Sequence, residues 1–205
     1  MGAKVIPDIV VGRLPIYLRA LQRMLEENRK VTSSQELGER LGISAAQIRK
    51  DLSQFGEFGK QGTGYSIEFL AKQINKILKV DRVWDIAVIG AGDIGSAVAR
   101  YQGFANRGLR VSMIFDSDPA KVGTQVGTFT VQDSQNIEKV IRDAGIQIAM
   151  IATPSQTAQL VAEQLITAGV KAILNYAPIN LSVPDEVRVQ YIDPVIHLQR
   201  MTYYL

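Results

Sequence analysis

The stretch Trp84-Asp85-Ile86-Ala87-Val88-Ile89-Gly90-Ala91-Gly92-Asp93-Ile94-Gly95 constrains this chain more than any other. A β-rich run enters Gly-x-Gly-x-x-Gly, and Ser96-Ala97-Val98-Ala99 carries on with helical composition. A second β-rich run, Val111-Ser112-Met113-Ile114-Phe115, ends in Asp116, 21 residues beyond Gly95. Strand, glycine loop, helix and strand with a terminal acid form the βαβ unit that binds dinucleotides. The chemistry accounts for the spacing. Gly90 makes the tight turn, Gly92 lets backbone approach a pyrophosphate, and Gly95 permits close helix–strand packing. Ala91, Asp93 and Ile94 complete the loop, whose helix N-terminus turns N–H groups and a positive dipole end toward phosphate. Asp116 would accept hydrogen bonds from the adenosine ribose and repel a 2′-phosphate, which favours NAD(H) over NADP(H). Asp118 is the second candidate acid, although Asp118-Pro119 also reads as a turn.

Further runs at 148–151 and 172–174 alternate with helical segments, so residues 81–192 read as a Rossmann-like parallel α/β domain. Ligands of such sheets sit outside the carboxyl ends of the strands. That position makes Thr153 and Pro154, and Asn175 and Tyr176, candidates for flanking a nicotinamide. Ordinary turn chemistry is the competing reading of both pairs.

The first 80 residues have a different texture. A helical pattern runs from Pro15 to Glu27, with Pro15 suited to a first turn. Ser33 with Glu36, and Ser44 with Gln47, form two capping-box patterns around Gly42-Ile43. Two short helices joined by a glycine turn make a helix-turn-helix. In the second helix, extending to about Phe55, Ile48, Leu52 and Phe55 share an inward face. Ser44 lies at its start, and Ala46, Gln47, Arg49, Lys50, Ser53 and Gln54 lie on the outward face, with Asp51 the one anion on its flank. A major-groove reader needs that face: Arg or Lys for guanine, Gln for adenine, a small residue against a thymine methyl. Gly56-Glu57-Phe58-Gly59-Lys60-Gln61-Gly62-Thr63-Gly64-Tyr65 permits a tight hairpin, the wing of a winged helix, with Lys60 near its tip for phosphate. Residues 1–82 carry 14 Lys and Arg against 9 Asp and Glu, whereas residues 83–205 carry 9 against 11. The basic part is thus the one patterned as a polyanion binder.

The chain has no cysteine, which excludes thiolate catalysis, disulfides and cysteine zinc sites; redox sensing would need a bound cofactor. No metal site is expected. Its one histidine, His197, lies in an expected terminal helix over 194–204, outside any expected catalytic position. No substrate domain follows the βαβ region, so no catalytic residue is assigned. With neither a signal-peptide pattern nor an apolar run of membrane length, a cytoplasmic location and no membrane partner are the expectation. Two alternatives stay open. One is a dehydrogenase of unusual architecture; the other is a CoA- or nucleotide-binding module whose N-terminal domain binds protein.

Taken together, these strings resemble the redox-sensing transcriptional repressor Rex family. The resemblance rests on Leu14-Pro15-Ile16-Tyr17-Leu18-Arg19, Thr32-Ser33-Ser34, Gln47-Ile48-Arg49-Lys50-Asp51-Leu52-Ser53-Gln54-Phe55-Gly56, Gly59-Lys60-Gln61-Gly62-Thr63-Gly64-Tyr65, the glycine loop, Phe115-Asp116-Ser117-Asp118-Pro119-Ala120-Lys121-Val122-Gly123, Leu174-Asn175-Tyr176-Ala177-Pro178 and Tyr191-Ile192-Asp193. It implies a homodimer with a winged-helix domain over 1–80, a Rossmann domain binding NADH or NAD⁺, and a helix over 193–205 exchanged into the partner. It implies repression of double-stranded operator DNA, released by NADH through a change in dimer geometry. It also implies a switch in which Arg19, Tyr101 and the partner's acid at 193 change hydrogen bonds. Gln102 and Pro194 depart from the residues common beside that switch.

Overall fold

A computed structural model describes residues 6–59 and 64–205. The chain divides into two compact units, Met1–Arg82 and Val83–Leu205.

The first unit is built from α1 (Asp8–Glu26), β1 (Val31–Thr32), α2 (Ser34–Leu41), α3 (Ala45–Leu52), β2 (Tyr65–Ser66) and α4 (Ile67–Ile77). Helix α1 starts seven residues before Pro15, which lies inside it rather than at its first turn. The reason is packing. Val10, Leu14, Tyr17, Leu21 and Met24 are all buried at helical spacing, so tertiary contacts override the proline's missing donor. Pro15 and Val11, whose carbonyl loses that donor, are both exposed. The core of this unit joins that stripe to Leu37, Ile48, Leu52, Ile67, Leu70 and Ile74. Gly42, at φ 66°, ends α2 in the left-handed conformation and turns the chain into α3. Helix α3 ends at Leu52, three residues earlier than its pattern indicates, where the Gln54 and Phe55 N–H groups donate to the carbonyls three residues back, Asp51 and Leu52, and tighten the last turn. β2 pairs antiparallel with β1 instead of with a strand at 56–59. Lys60, the expected tip of the wing, lies outside the described residues.

The second unit holds β3 (Trp84–Ile89), α5 (Asp93–Arg100), β4 (Leu109–Asp116), β5 (Gln125–Val126), β6 (Phe129–Asp133), α6 (Ile137–Ala144), β7 (Ile148–Ile151), α7 (Ser155–Thr167), β8 (Ala172–Asn175), β9 (Arg188–Tyr191) and α8 (Pro194–Thr202). Strand order is β5-β6-β4-β3-β7-β8-β9, parallel except for the short β5–β6 pair. Without β5, that is the doubly wound order 3-2-1-4-5-6 of dinucleotide-binding folds. Successive residues of β3 serve opposite faces of the sheet. Ala87 and Ile89 pack with Ile137, Ile141, Ala158 and Leu165, while Ile86 and Val88 pack with Ala99, Val111 and Ile114. The chain reverses direction on the sheet between β3 and β7, and a crevice opens there at the strands' carboxyl ends.

α8 is unlike every other α-helix of this unit. None of its residues is buried, and Val195, Ile196, Leu198 and Met201 are each at least 56% exposed.

Candidate dinucleotide site and nucleic-acid interface

The glycine loop leaves β3 under tight steric control. Gly90 has φ 104°, and a Cβ there would lie 2.5 Å from the Ala152 carbonyl oxygen. A Cβ on Gly95 would collide with the Gly90 carbonyl oxygen. Both positions therefore require glycine to let β3, α5 and the end of β7 converge. Gly92 differs: a Cβ there meets nothing within 4 Å, so its backbone borders open space. The first N–H groups of α5 have no intrahelical acceptor and provide the donors and dipole end that an anion needs.

A cavity of about 720 Å³ lies against this loop, within the size range of cofactor sites. Gly90, Gly92, Asp93, Ile94, Asp116, Thr153 and Pro154 all line it. Asp116 is 8% exposed. The Ala91 N–H donates to its Oδ2 at 2.7 Å, the Asp118 N–H to its Oδ1 at 2.9 Å, and the Lys121 ammonium lies 3.2 Å from Oδ2. Burial pushes this carboxyl upward, but the two backbone donors and Lys121 outweigh it and hold the group below the usual aspartate range. Asp116 is thus a fixed anion that also anchors the glycine loop to β4. Asp118 is committed to its own turn, since its Oδ1 accepts from the Ala120 N–H.

Thr153 Oγ1 is buried and has no hydrogen-bond partner among the described residues. An orphaned buried hydroxyl on a residue that lines a cavity is free to pair with a ligand's polar group. The open border at Gly92, the anion-seeking helix end, the fixed Asp116 and this hydroxyl together fit the pyrophosphate and ribose of a dinucleotide.

Two expected residues are not brought to this cavity. Asn175 is 1% exposed, and its side chain is spent on the loop that follows. Its Oδ1 accepts from the Ala177 N–H, and its Nδ2 donates to the carbonyls of Ala177 and Ile179. Strand β7 separates β8 from β3, so Asn175 borders instead a cavity of about 240 Å³ with Tyr191, Asp193 and Ile196. Tyr176 lines neither cavity. Sequence reasoning missed Lys121, Ser134, Gln135, Thr157, Leu160 and Gln164 on the main cavity. Lys121 had a usable signal, a cation five residues past the strand-end acid. The α7 residues had none, because their register on the helix depends on where β7 stops.

In the first unit, the Ser33 and Ser44 hydroxyls accept from the N–H groups of Glu36 and Gln47, as N-caps do. The return half of each capping box is absent. Glu36 takes Arg29 and the Thr32 hydroxyl, and Gln47 turns to Asp51. Ser44, Ala46, Arg49, Lys50 and Ser53 are exposed, while Gln47 and Gln54 are half-buried. Arg49 donates to Ser34 Oγ at 2.9 Å, which ties it to the start of α2.

Asp51 departs most from expectation. Instead of standing on the flank of α3 it is fully buried. Arg13 donates to both of its oxygens, at 2.5 and 2.7 Å, Tyr17 Oη to Oδ2 at 2.6 Å, and Gln47 Nε2 to Oδ1 at 2.6 Å. Burial alone would raise this carboxyl, but the bonds from Arg13, Tyr17 and Gln47 lower it. The Tyr17 phenol is raised, first by burial and then by Asp51. Arg13 and Tyr17 stand one turn apart on α1, so their shared grip on Asp51 fixes α1 to α3.

Of the expected switch residues, Arg19 is exposed on α1 and Tyr101 is 55% exposed, its ring edge-on to Phe104 at 5.1 Å. Asp193 caps α8 through the Val195 N–H.

Comparison with known proteins bears on both units. Residues 5–53 match the family described as "Putative DNA-binding protein N-terminus", and residues 81–179 match "CoA binding domain". The redox-sensing transcriptional repressor Rex of Chloroflexus aurantiacus is 53% identical over 199 residues, spanning 97% of this chain and 94% of that protein. The chain belongs to the Rex family. Rex 1 of Thermotoga maritima is 46% identical over 98% of this chain and 96% of its own length. Among solved structures, the Rex-family repressor RSP in complex with beta-NAD+ and operator DNA superposes with a TM-score of 0.93, at 38% identity over 98% of this chain and 93% of that one. RSP in complex with beta-NADH matches with a TM-score of 0.89, at 36% identity over 98% and 95% of the two chains. The winged-helix and Rossmann-like architecture of the family is therefore that of this chain.

Proposed function

We propose that this chain is a transcriptional repressor whose hold on double-stranded operator DNA is set by the NADH/NAD⁺ ratio. The observation that carries the reading is the cavity at residues 90–95. It joins a pyrophosphate-binding loop to a fixed ribose-side carboxylate, on the same chain as a capped helix pair with an exposed basic face. The solved RSP complexes with beta-NAD+, operator DNA and beta-NADH support the same assignment. In this reading residues 1–80 form the DNA-binding domain and residues 81–192 the dinucleotide domain. Ser44, Ala46, Arg49, Lys50 and Ser53 face DNA together with the half-buried Gln47 and Gln54, and Lys60 is assigned a phosphate contact. Gly90, Ala91, Gly92, Asp93, Ile94, Gly95, Asp116, Thr153 and Pro154 hold the dinucleotide.

Asp116 also discriminates among ligands. A fixed carboxylate near the ribose repels a 2′-phosphate, and equally the 3′-phosphate of CoA, so the family match to CoA-binding domains does not make CoA the ligand. The dinucleotide acts as signal rather than reagent. The relatives that match along nearly the whole chain are repressors, which supports that reading.

The exposed apolar surface of α8 supports a homodimer in which residues 193–205 pack into the partner, carrying Asp193 toward the partner's Arg19 and Tyr101. NADH and NAD⁺ differ by one charge and by ring planarity. They switch the protein to the extent that its two dimer geometries bind them unequally. Moving an operator-competent population from 99:1 to 1:99 takes about 5.5 kcal/mol of such difference. The protein would work in the cytoplasm, beside the chromosome. A gel shift on operator DNA tests the reading: NADH should dissolve the complex and NAD⁺ should leave it. An intact complex at saturating NADH would overturn it.

A further inference from the structure

We infer that the buried Asp51 fixes which way the Gln47 amide faces, making Gln47 a hydrogen-bond acceptor that reads an exocyclic base amine in the operator. The inference rests on α3 being the helix that enters the major groove. A Gln side chain ordinarily turns either of its ends, oxygen or NH₂, toward a base. Here the choice is made beforehand. Asp51 is a carboxylate and only accepts, so the group 2.6 Å from its Oδ1 has to be the Gln47 NH₂.

The carbonyl Oε1 is therefore on the other branch of the amide. It has no protein partner among the described residues, and it is not among the buried unpaired atoms. It is not fully buried, and it belongs to a half-buried side chain at the third residue of α3, within the N-terminal turn that contacts base edges in helix-turn-helix proteins.

Asp51 cannot rotate to release the amide. Arg13 holds it at two oxygens and Tyr17 at one, and all three donors other than Gln47 belong to α1. An outward carbonyl accepts from adenine N6 or cytosine N4, the two donors that bases present in the major groove. It meets guanine O6 and thymine O4 oxygen to oxygen, which disfavours them. Asp51 is accordingly a positioning residue, and Gln47 carries the specificity.

The test is base preference, which a purely structural role would not move. Operator duplexes enriched from a random library by the full-length protein, then substituted one base pair at a time, are titrated by fluorescence anisotropy. The wild type should favour A or C over G or T at one position in each half-site by about tenfold, equivalent to 1.4 kcal/mol. Gln47→Met keeps the side-chain length and should flatten that position alone. Asp51→Asn can donate to the Gln47 carbonyl, which turns the NH₂ outward and should invert the preference toward G or T. If Asp51→Asn does not fold, Gln47→Met decides. Lys50→Ala is the reference and should weaken operator binding while keeping the wild-type preference at the Gln47 position, without changing NADH affinity. If Lys50→Ala weakens binding but Gln47→Met keeps the wild-type preference, or weakens every duplex equally, this inference fails and the DNA-reading helix stands. If neither variant changes binding, α3 is not the reader.

Discussion

Both units bury an aspartate at a junction of elements, and in both the carboxyl is held below its ordinary range against the pull of burial. They differ in what surrounds the charge. Asp51 is enclosed by four side-chain hydrogen bonds from Arg13, Tyr17 and Gln47. Asp116 is held from behind by two backbone N–H groups and one lysine, and its front forms part of a cavity wall. The first arrangement spends every lone pair on the protein. The second keeps acceptor capacity for something outside it. A buried charge thus signals a ligand site only where its shell is incomplete, and Thr153, with its orphaned hydroxyl on the same wall, repeats the pattern.

The contrast of closed and open surface is widest at α8, so its removal should have the largest effect. Truncation before Asp193 should yield a monomer in sedimentation. Operator affinity should then fall by about 10² to 10⁴, the usual gain from linking two half-sites. A truncated protein that remains dimeric would assign the exposed helix another role.

Next is the closed charge. Arg13→Ala leaves Asp51 buried without its cation and should cost about 3–5 kcal/mol at neutral pH, read by hydrogen exchange in α1 and α3. The sign with pH is fixed by the lowered carboxyl. Its contribution is complete above the unfolded aspartate value of about 3.9 and is lost as pH falls through the lower folded value. The gap between wild type and variant should therefore narrow below about pH 4, where protonation also relieves the stranded carboxyl. A gap that stays constant through that range would mean that Asp51 is not ionised in the fold.

The open charge should behave in the opposite way. Asp116→Ala should weaken NADH and NAD⁺ together by about 10- to 100-fold, the loss of hydrogen bonds to a charged group, and should change hydrogen exchange little outside the glycine loop. The smallest effect is expected at Thr153. Thr153→Val removes a hydroxyl that no protein group satisfies, so stability should hold or rise while dinucleotide affinity falls about fivefold, near 1 kcal/mol. Unchanged affinity would leave that hydroxyl unexplained.

Much of this was legible in the chain. Fully buried strands announce themselves as apolar runs, so β3, β4, β7 and β8 stand out, and Gly90, Gly92 and Gly95 fix the loop between β3 and α5. Strands β6 and β9 were not legible. Phe129-Thr130-Val131-Gln132-Asp133 and Arg188-Val189-Gln190-Tyr191 mix polar residues into short segments toward the sheet's margins, where one face is less covered. The misplacement of Asp51 has a related cause. Helical periodicity gives its angle on α3 but not the presence of Arg13 across from it, 38 residues earlier in the chain. Asn175 lies away from the main cavity for the converse reason. Position after a strand suggested a ligand, while the local pattern Asn175-Tyr176-Ala177 already offered its amide a turn to hold. Long-range pairing of polar groups is what a periodic pattern cannot display.

The central claim is that occupancy of the cavity at residues 90–95 governs operator affinity. Titrating NADH into the preformed operator complex by anisotropy, for wild type and for Asp116→Ala side by side, tests it most directly. Both proteins should start fully bound and both should end released, with the variant's midpoint displaced to about 10- to 100-fold more NADH. Release of both at the same NADH concentration, or of neither, would contradict the claim.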